Sequence, residues 1–319
     1  MSAKTLLRGS IAATLSLFAT AAQAQTTTPP PRTAGGTATQ TSASTGATTV
    51  VKDSFASGPT RDTKDGTAAT VQAGGLFSTG NARSLAVTAS GTYRYRQDNH
   101  QFSAGAAINY GRAAAKQDAP IETTVSNLQA LLRYDYFFTD KWALFVQAAG
   151  RRDKFQGLDL RANIDPGVAY YVLDDKKHRL WFELGYDFQH DIRRGFNVDQ
   201  ARAVVAAAEA AERNGTGPGP TAVQKEAANK TADRHSSRLF FGYDNQLNAY
   251  ITFTTGLEYL QPFDPTEAWR LTWNNALKSA ITDKFSAATT FTLRYDHSPL
   301  PNVKDTDAIT SVAIIYNFR

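Results

Sequence analysis

Five histidines and one serine pair are where this sequence could carry catalysis or a metal. The histidines are His100, His178, His190, His235 and His297. His100 and His178 flank short turns, whereas His190, His235 and His297 close alternating segments at what would be one rim. Those segments are not all neighbours, so the three do not make a metal set. The chain has no cysteine, which also excludes thiolate ligands and disulfides. A hydrolase needs a serine hydroxyl, a histidine to take its proton and a polar group to orient that histidine. His235, Ser236 and Ser237 are adjacent. Successive strand residues point to opposite faces, so His235 and Ser236 do not pair, and Ser237 stands two residues from His235 along one face. Phosphate-loop and dinucleotide fingerprints do not occur in the sequence. The expectation is no enzyme, no metal and no cofactor.

A larger ionic pattern remains. Arg94, Arg133, Asp135, Arg151, Asp153, Arg161, Asp165, Glu183, Asp187, Arg238, Asp244, Glu258, Arg270, Lys278, Arg294 and Asp296 all fall on one face of segments whose other face is apolar. Basic and acidic members nearly balance. A strongly selective open pore would favour one sign, so the set reads as ion pairs packing a narrow interior. Bulky Phe145, Trp181 and Phe240 on the same face point to a filled or constricted lumen, and a narrow channel stays open as a reading.

The elements that position these charges are strands. From Leu128, the even positions are Leu128, Ala130, Leu132, Tyr134, Tyr136 and Phe138; between them lie Gln129, Leu131, Arg133, Asp135 and Phe137. That is a period of two, over the length of about ten residues that a tilted strand needs to cross a bilayer. Twelve such segments run from 69–79 to 306–318, and short turns such as Asp98-Asn99 and Asp140-Lys141 alternate with links that are mostly longer. An even strand count, with short turns at one rim and longer loops at the other, predicts a transmembrane antiparallel up-and-down β-barrel of about twelve strands over 69–319. Leu85, Ile108, Leu132, Ile164, Leu184 and Trp273 are among those expected to face lipid, with Tyr136, Trp142, Tyr259 and Trp269 in aromatic girdles. Mean hydropathy is negative, and after the N-terminus no run approaches 18 apolar residues, so no transmembrane helix is expected.

Residues 1–24 read as a secretory signal: Lys4 and Arg8, an apolar stretch from Ile11 to Ala19, then Ala22-Gln23-Ala24 with cleavage between Ala24 and Gln25. Residues 25–68 are rich in Thr, Ser, Ala, Gly and Pro and are expected to be a disordered periplasmic segment, having too little apolar surface to offset ordering. One long link, 192–234, is an expected extracellular insertion with a helix over Val198–Arg213 and a second over Ala222–Asn229. It is either a tolerated loop or a gate, plug or partner-binding knob. The last segment places Val312, Ile314, Tyr316 and Phe318 on one face, with Arg319 following. The net charge of +5 is spread over rims and lumen, which speaks against nucleic acid and for lipid headgroups and lipopolysaccharide as partners.

Three stretches carry a family resemblance: Gly75-Leu76-Phe77-Ser78-Thr79-Gly80-Asn81, Tyr134–Lys141, and Arg152-Asp153-Lys154-Phe155-Gln156-Gly157-Leu158-Asp159-Leu160-Arg161 followed by Gly167 and Tyr170. Together they resemble the bacterial salt-induced outer membrane protein family, a domain labelled as of unknown function. The resemblance covers about 70–318 apart from the insertion. It implies an outer-membrane barrel, a salt-related role, and neither catalytic residues nor an established substrate. The aromatic-ended last strand likewise resembles the signal read by the outer-membrane barrel assembly machinery, which makes that machinery an expected partner.

Overall fold

The computed structural model describes residues 65–78, 83–114, 120–175 and 177–318. The expected leader with its Ala24–Gln25 cleavage, and residues 25–64, lie outside them. Gly66, Thr67 and Ala68, read above as the end of a disordered segment, instead begin the first strand and pair with Arg96, Tyr95 and Arg94. Backbone pairing supplies their order where their small side chains could not.

Twelve strands form one closed antiparallel barrel in which each pairs with its sequence neighbours. They are β1 (Gly66–Ser78), β2 (Arg83–Gln97), β3 (His100–Ala114), β4 (Glu122–Phe137), β5 (Trp142–Asp153) and β6 (Leu158–Asp174). Then follow β7 (His178–Arg193), helices α1 (Gly195–Arg213) and α2 (Ala222–Ala227), β8 (Thr231–Gln246), β9 (Ile251–Pro262), β10 (Arg270–Ala280), β11 (Phe285–Asp296) and β12 (Thr306–Phe318). The ring closes where Ala69–Ala73 of β1 pair with Ile314–Phe318 of β12, a shorter ladder than that of β1 with β2, which runs from Gly66↔Arg96 to Ser78↔Ser84.

The barrel is inside-out relative to a water-soluble sheet. On β4, Leu132 is 53% exposed whereas the next residues inward, Arg133 and Asp135, are 1% and 0% exposed. The same holds around the ring: Val87, Ile108, Leu144, Ile164, Leu239 and Trp273 lie on the exposed face. Exposed apolar surface on this scale is unfavourable in water.

Four short turns share one chemistry. The side-chain oxygens of Thr139, Asp175, Asn248 and Thr282 each accept the backbone N–H groups two and three residues on, for example Asp175 from Lys177 (2.8 Å) and His178 (2.6 Å). Such side-chain-capped turns fix a tight reversal. The bond from His178 N–H, then that from Lys177, holds the Asp175 carboxyl below the usual aspartate range. Outward aromatics cluster at both rims: Trp142 against Tyr170 (4.6 Å) beside the short turns, and Trp269 against Tyr295 (4.9 Å) and His297 (5.1 Å) beside the long loops.

The insertion is shorter than read from sequence, because β7 runs on to Arg193 and β8 begins at Thr231, with Ile192 opposite Thr231. Helix α1 starts three residues earlier than Val198, at Gly195, and α2 stops at Ala227. Thr221 and Gln224 form a reciprocal capping box that starts α2.

Candidate functional site

Among the described residues, chemistry-bearing side chains converge in the lumen, which is built in layers. Toward the short turns, Phe137, Ala143, Phe145, Ala169, Tyr171, Trp181 and Phe240 form a buried apolar cluster. Two glycines make room for its largest rings. Gly242 lies opposite Trp181 and Gly167 opposite Phe145. A Cβ at either position would collide with the facing ring. Trp181 stacks on Tyr171 at 6.5 Å and meets Phe240 at 6.0 Å, and the Arg96 guanidinium lies 4.3 Å from the Phe137 ring centre.

An ionic layer rests on these rings. Arg133 Nε and Nη2 donate to Asp135 Oδ1 (2.9 and 2.8 Å), and its Nη1 donates to Glu183 Oε2 (3.1 Å). Arg238 donates to Glu183 Oε2 (2.7 Å) and Glu258 Oε2 (2.8 Å). The chain of pairs runs from β4 to β9 and places Glu183 between two guanidinium groups. Arg133 also lies 4.0 Å over the Phe145 ring. All three groups at its centre are inaccessible: Arg133, Glu183 and Arg238 are 1%, 2% and 2% exposed. The facing wall is equally closed, with Thr88, Asn109, Ser286 and Thr292 buried.

Above this floor, toward the long loops, is a cavity of about 190 Å3 lined by strands β4 to β12 and by Ser298–Leu300 and Val303–Asp305. Arg151, Arg161, Asp165, Asp187, Arg270, Arg294 and Asp296 line it, with Arg238 and Glu258 at its floor. Arg161 and Asp191 form a two-pronged pair at 2.7 Å in both contacts. Asp165 accepts from Gln147 (2.8 Å), Asp187 from Asn163 (2.6 Å), and Asp153 from Arg151 (2.6 Å) and Asn127 (2.9 Å). Arg270 donates to the neutral Gln189. Arg94, Asp244 and Lys278 do not line the cavity; they sit on β2, β8 and β10 toward the short-turn end.

The rim above the cavity is tied to the insertion. Arg193 and Arg234 both donate to Glu226 Oε1 of α2 at 2.7 Å. Gln156 donates to Asp307 (2.7 Å), and Asn302 to Gln200 of α1 (2.6 Å). The sequence reading missed Asp191, Arg193, Arg234 and Glu226. Continuing the alternation past Asp191 and back before His235 would have found the two arginines, but nothing local marks Glu226 as their partner.

The catalytic alternatives come apart in space. His235 bonds Tyr186 on the outer surface, Ser236 is buried on the inner one, and Ser237 donates to the Gln261 carbonyl (3.5 Å). His190 meets Asp233 (2.6 Å) and His297 stacks on Trp269, so each rim histidine has a partner of its own. Among the described residues no three His, Asp or Glu side chains gather as a metal site requires. On β12, Val312 and Ile314 are exposed outward and Tyr316 packs on Phe285 (5.1 Å). Phe318 pairs with Ala69 through its backbone, and its side chain lies outside the described residues.

No curated protein matches the sequence. Among solved structures, an outer membrane channel from Pseudomonas putida F1 is similar at 12% identity and TM-score 0.45, covering 82% of this chain and 98% of that one. The NanC porin is similar at 10% identity and TM-score 0.42, with 78% and 97% covered. The KdgM porin in complex with disordered oligogalacturonate gives 10% identity and TM-score 0.38, with 79% and 99% covered. Residues 71–318 match the family described as "Protein of unknown function, DUF481", and the chain belongs to that family.

Proposed function

We propose that this chain is an outer-membrane barrel of the narrow-channel type, held shut in the structure described here. The observation that carries the reading is the double closure of the lumen, an aromatic layer topped by the Arg133–Glu183–Arg238 layer, beneath a cavity that faces the long loops. The exposed apolar outer face supports a lipid surroundings, as does the aromatic clustering at both rims. Twelve strands fall between small barrels filled by side chains and wide aqueous porins, so a lumen closed by a few rings is physically reasonable. On this reading residues 1–24 export the chain, β12 engages the barrel assembly machinery, and lipid and lipopolysaccharide surround the product. The salt-related role implied by resemblance would appear as a change in barrel abundance with external salt.

Planar-bilayer recording tests the channel. The native barrel is expected to give no steady conductance, and Trp181→Ala combined with Phe145→Ala to give steady single-channel steps. Equal steady conductance from both would show that these layers do not close the path.

A second reading rests on α1, whose Phe196 is 70% exposed with Val204 also at the surface. The insertion then serves as a knob for a surface partner. Loss of partner capture on removing 195–229, with the barrel intact, would favour it.

A further inference from the structure

At one place in the outer cavity, two guanidinium groups lack a directly bonded carboxylate. Arg294 lines the cavity, and among the described residues its side chain makes neither a hydrogen bond nor an ion pair. The carboxylates nearest in register are engaged elsewhere. Asp307, opposite Arg294, accepts from Gln156, and Asp296, opposite Arg270, accepts from the Ser298 N–H. Arg270 is more than nine-tenths buried, donates only to the neutral Gln189, and keeps a buried Nε without a partner. From the other wall, Arg151 spends Nη2 on Asp153 and also keeps a buried Nε unpartnered. Arg151 and Arg294 are near enough for their charges to repel, while Asp153 and Asp307 attract Arg294 without bonding it. Arg161, by contrast, is fully paired with Asp191.

Enclosed guanidinium groups with free donors and no directly bonded carboxylate are costly unless an anion joins them. Their planar donor forks match oxyanions. We propose that this cavity binds a small oxyanion, a carboxylate or phosphate group carried by a free solute, held by Arg294 and Arg270 with Arg151 facing them. The size fits: about 190 Å3 lies below the roughly 300–1,000 Å3 typical of larger ligand pockets. The walls are inward faces of the barrel, which favours a solute over a lipid headgroup.

The test is calorimetric titration of the detergent-folded chain with inorganic phosphate and, separately, acetate, alongside denaturant unfolding with and without each anion. Expected is saturable one-to-one binding of at least one anion. Arg294→Gln should weaken it at least tenfold, Arg294→Lys less, and Arg112→Gln, an exposed residue outside the cavity, not at all. Bound anion should raise the unfolding midpoint of the native barrel but not of Arg294→Gln. Without anion, Arg294→Gln should be about as stable as the native barrel, because Arg294 makes no ion pair whose loss would strand a carboxylate. Absence of saturable binding for both anions, or equal weakening by Arg112→Gln, overturns the proposal. Neither measurement requires ion flow, so the outcome is independent of whether the lumen conducts.

Discussion

At the scale of single residues, the decisive group is Glu183. It sits between Arg133 and Arg238, and all three are nearly inaccessible. Removing one member of a buried pair leaves a desolvated charge behind, at a cost of about 3–5 kcal/mol. Glu183→Gln is therefore expected to lower barrel stability by about that much, read as the shift in the denaturant unfolding midpoint of the detergent-folded barrel. Replacing the set Arg133, Glu183 and Arg238 together by apolar residues should cost far less, because no charge is left alone. The inward position of each of these residues was legible from alternation. Their pairing was not: Arg133 and Glu183 are fifty residues apart in sequence and meet only because three adjacent strand pairings, β4 to β7, curve them toward a shared interior.

At the scale of elements, two kinds of segment behave differently. The strands were legible almost to their ends, since a period of two with charge on one face admits one assignment. Their boundaries slipped where the alternation meets polar residues that pair anyway, as at Gly66–Ala68 and at Ile192 with Thr231. The aromatic layer depends on glycine at Gly167 and Gly242, whose role shows only once the opposite strand is in place. The insertion is tied down through Glu226, Lys230–Asp159 (3.0 Å) and Asn302–Gln200. Its bonds lie at the rim, outside the strand ladders. Replacing 195–229 by a short Gly-Ser linker should leave the barrel able to fold. The readout is the retained difference in gel mobility between unheated and boiled samples; loss of that difference would show that the insertion is needed for closure.

At the scale of the whole molecule, the strands turn most of their charged groups inward and, apart from the aromatic layer, most of their large apolar ones outward, so the surroundings must supply what a core normally does. Leu184, 58% exposed at mid-strand in β7, marks that outer surface. Leu184→Arg is expected to cost about 2–4 kcal/mol of folding stability in a bilayer if the site lies near the midplane, measured as the shift in unfolding midpoint in lipid vesicles; no shift would deny that this face meets hydrocarbon. The meeting of β1 with β12 has a different consequence. A ring is only as durable as its briefest join, and among the described residues the join engages only Ala69–Ala73. Heating should unclasp the bracelet at that point before any other ladder yields. Thr70 and Asn317 face each other across it, and directly opposed antiparallel residues sit roughly 4.5–5.5 Å apart at Cα, within reach of a disulfide. Because the native chain has no cysteine, one introduced thiol at each position would make an unambiguous rivet. Its oxidised form should withstand thermal unfolding better than its reduced form, by about 2–4 kcal/mol.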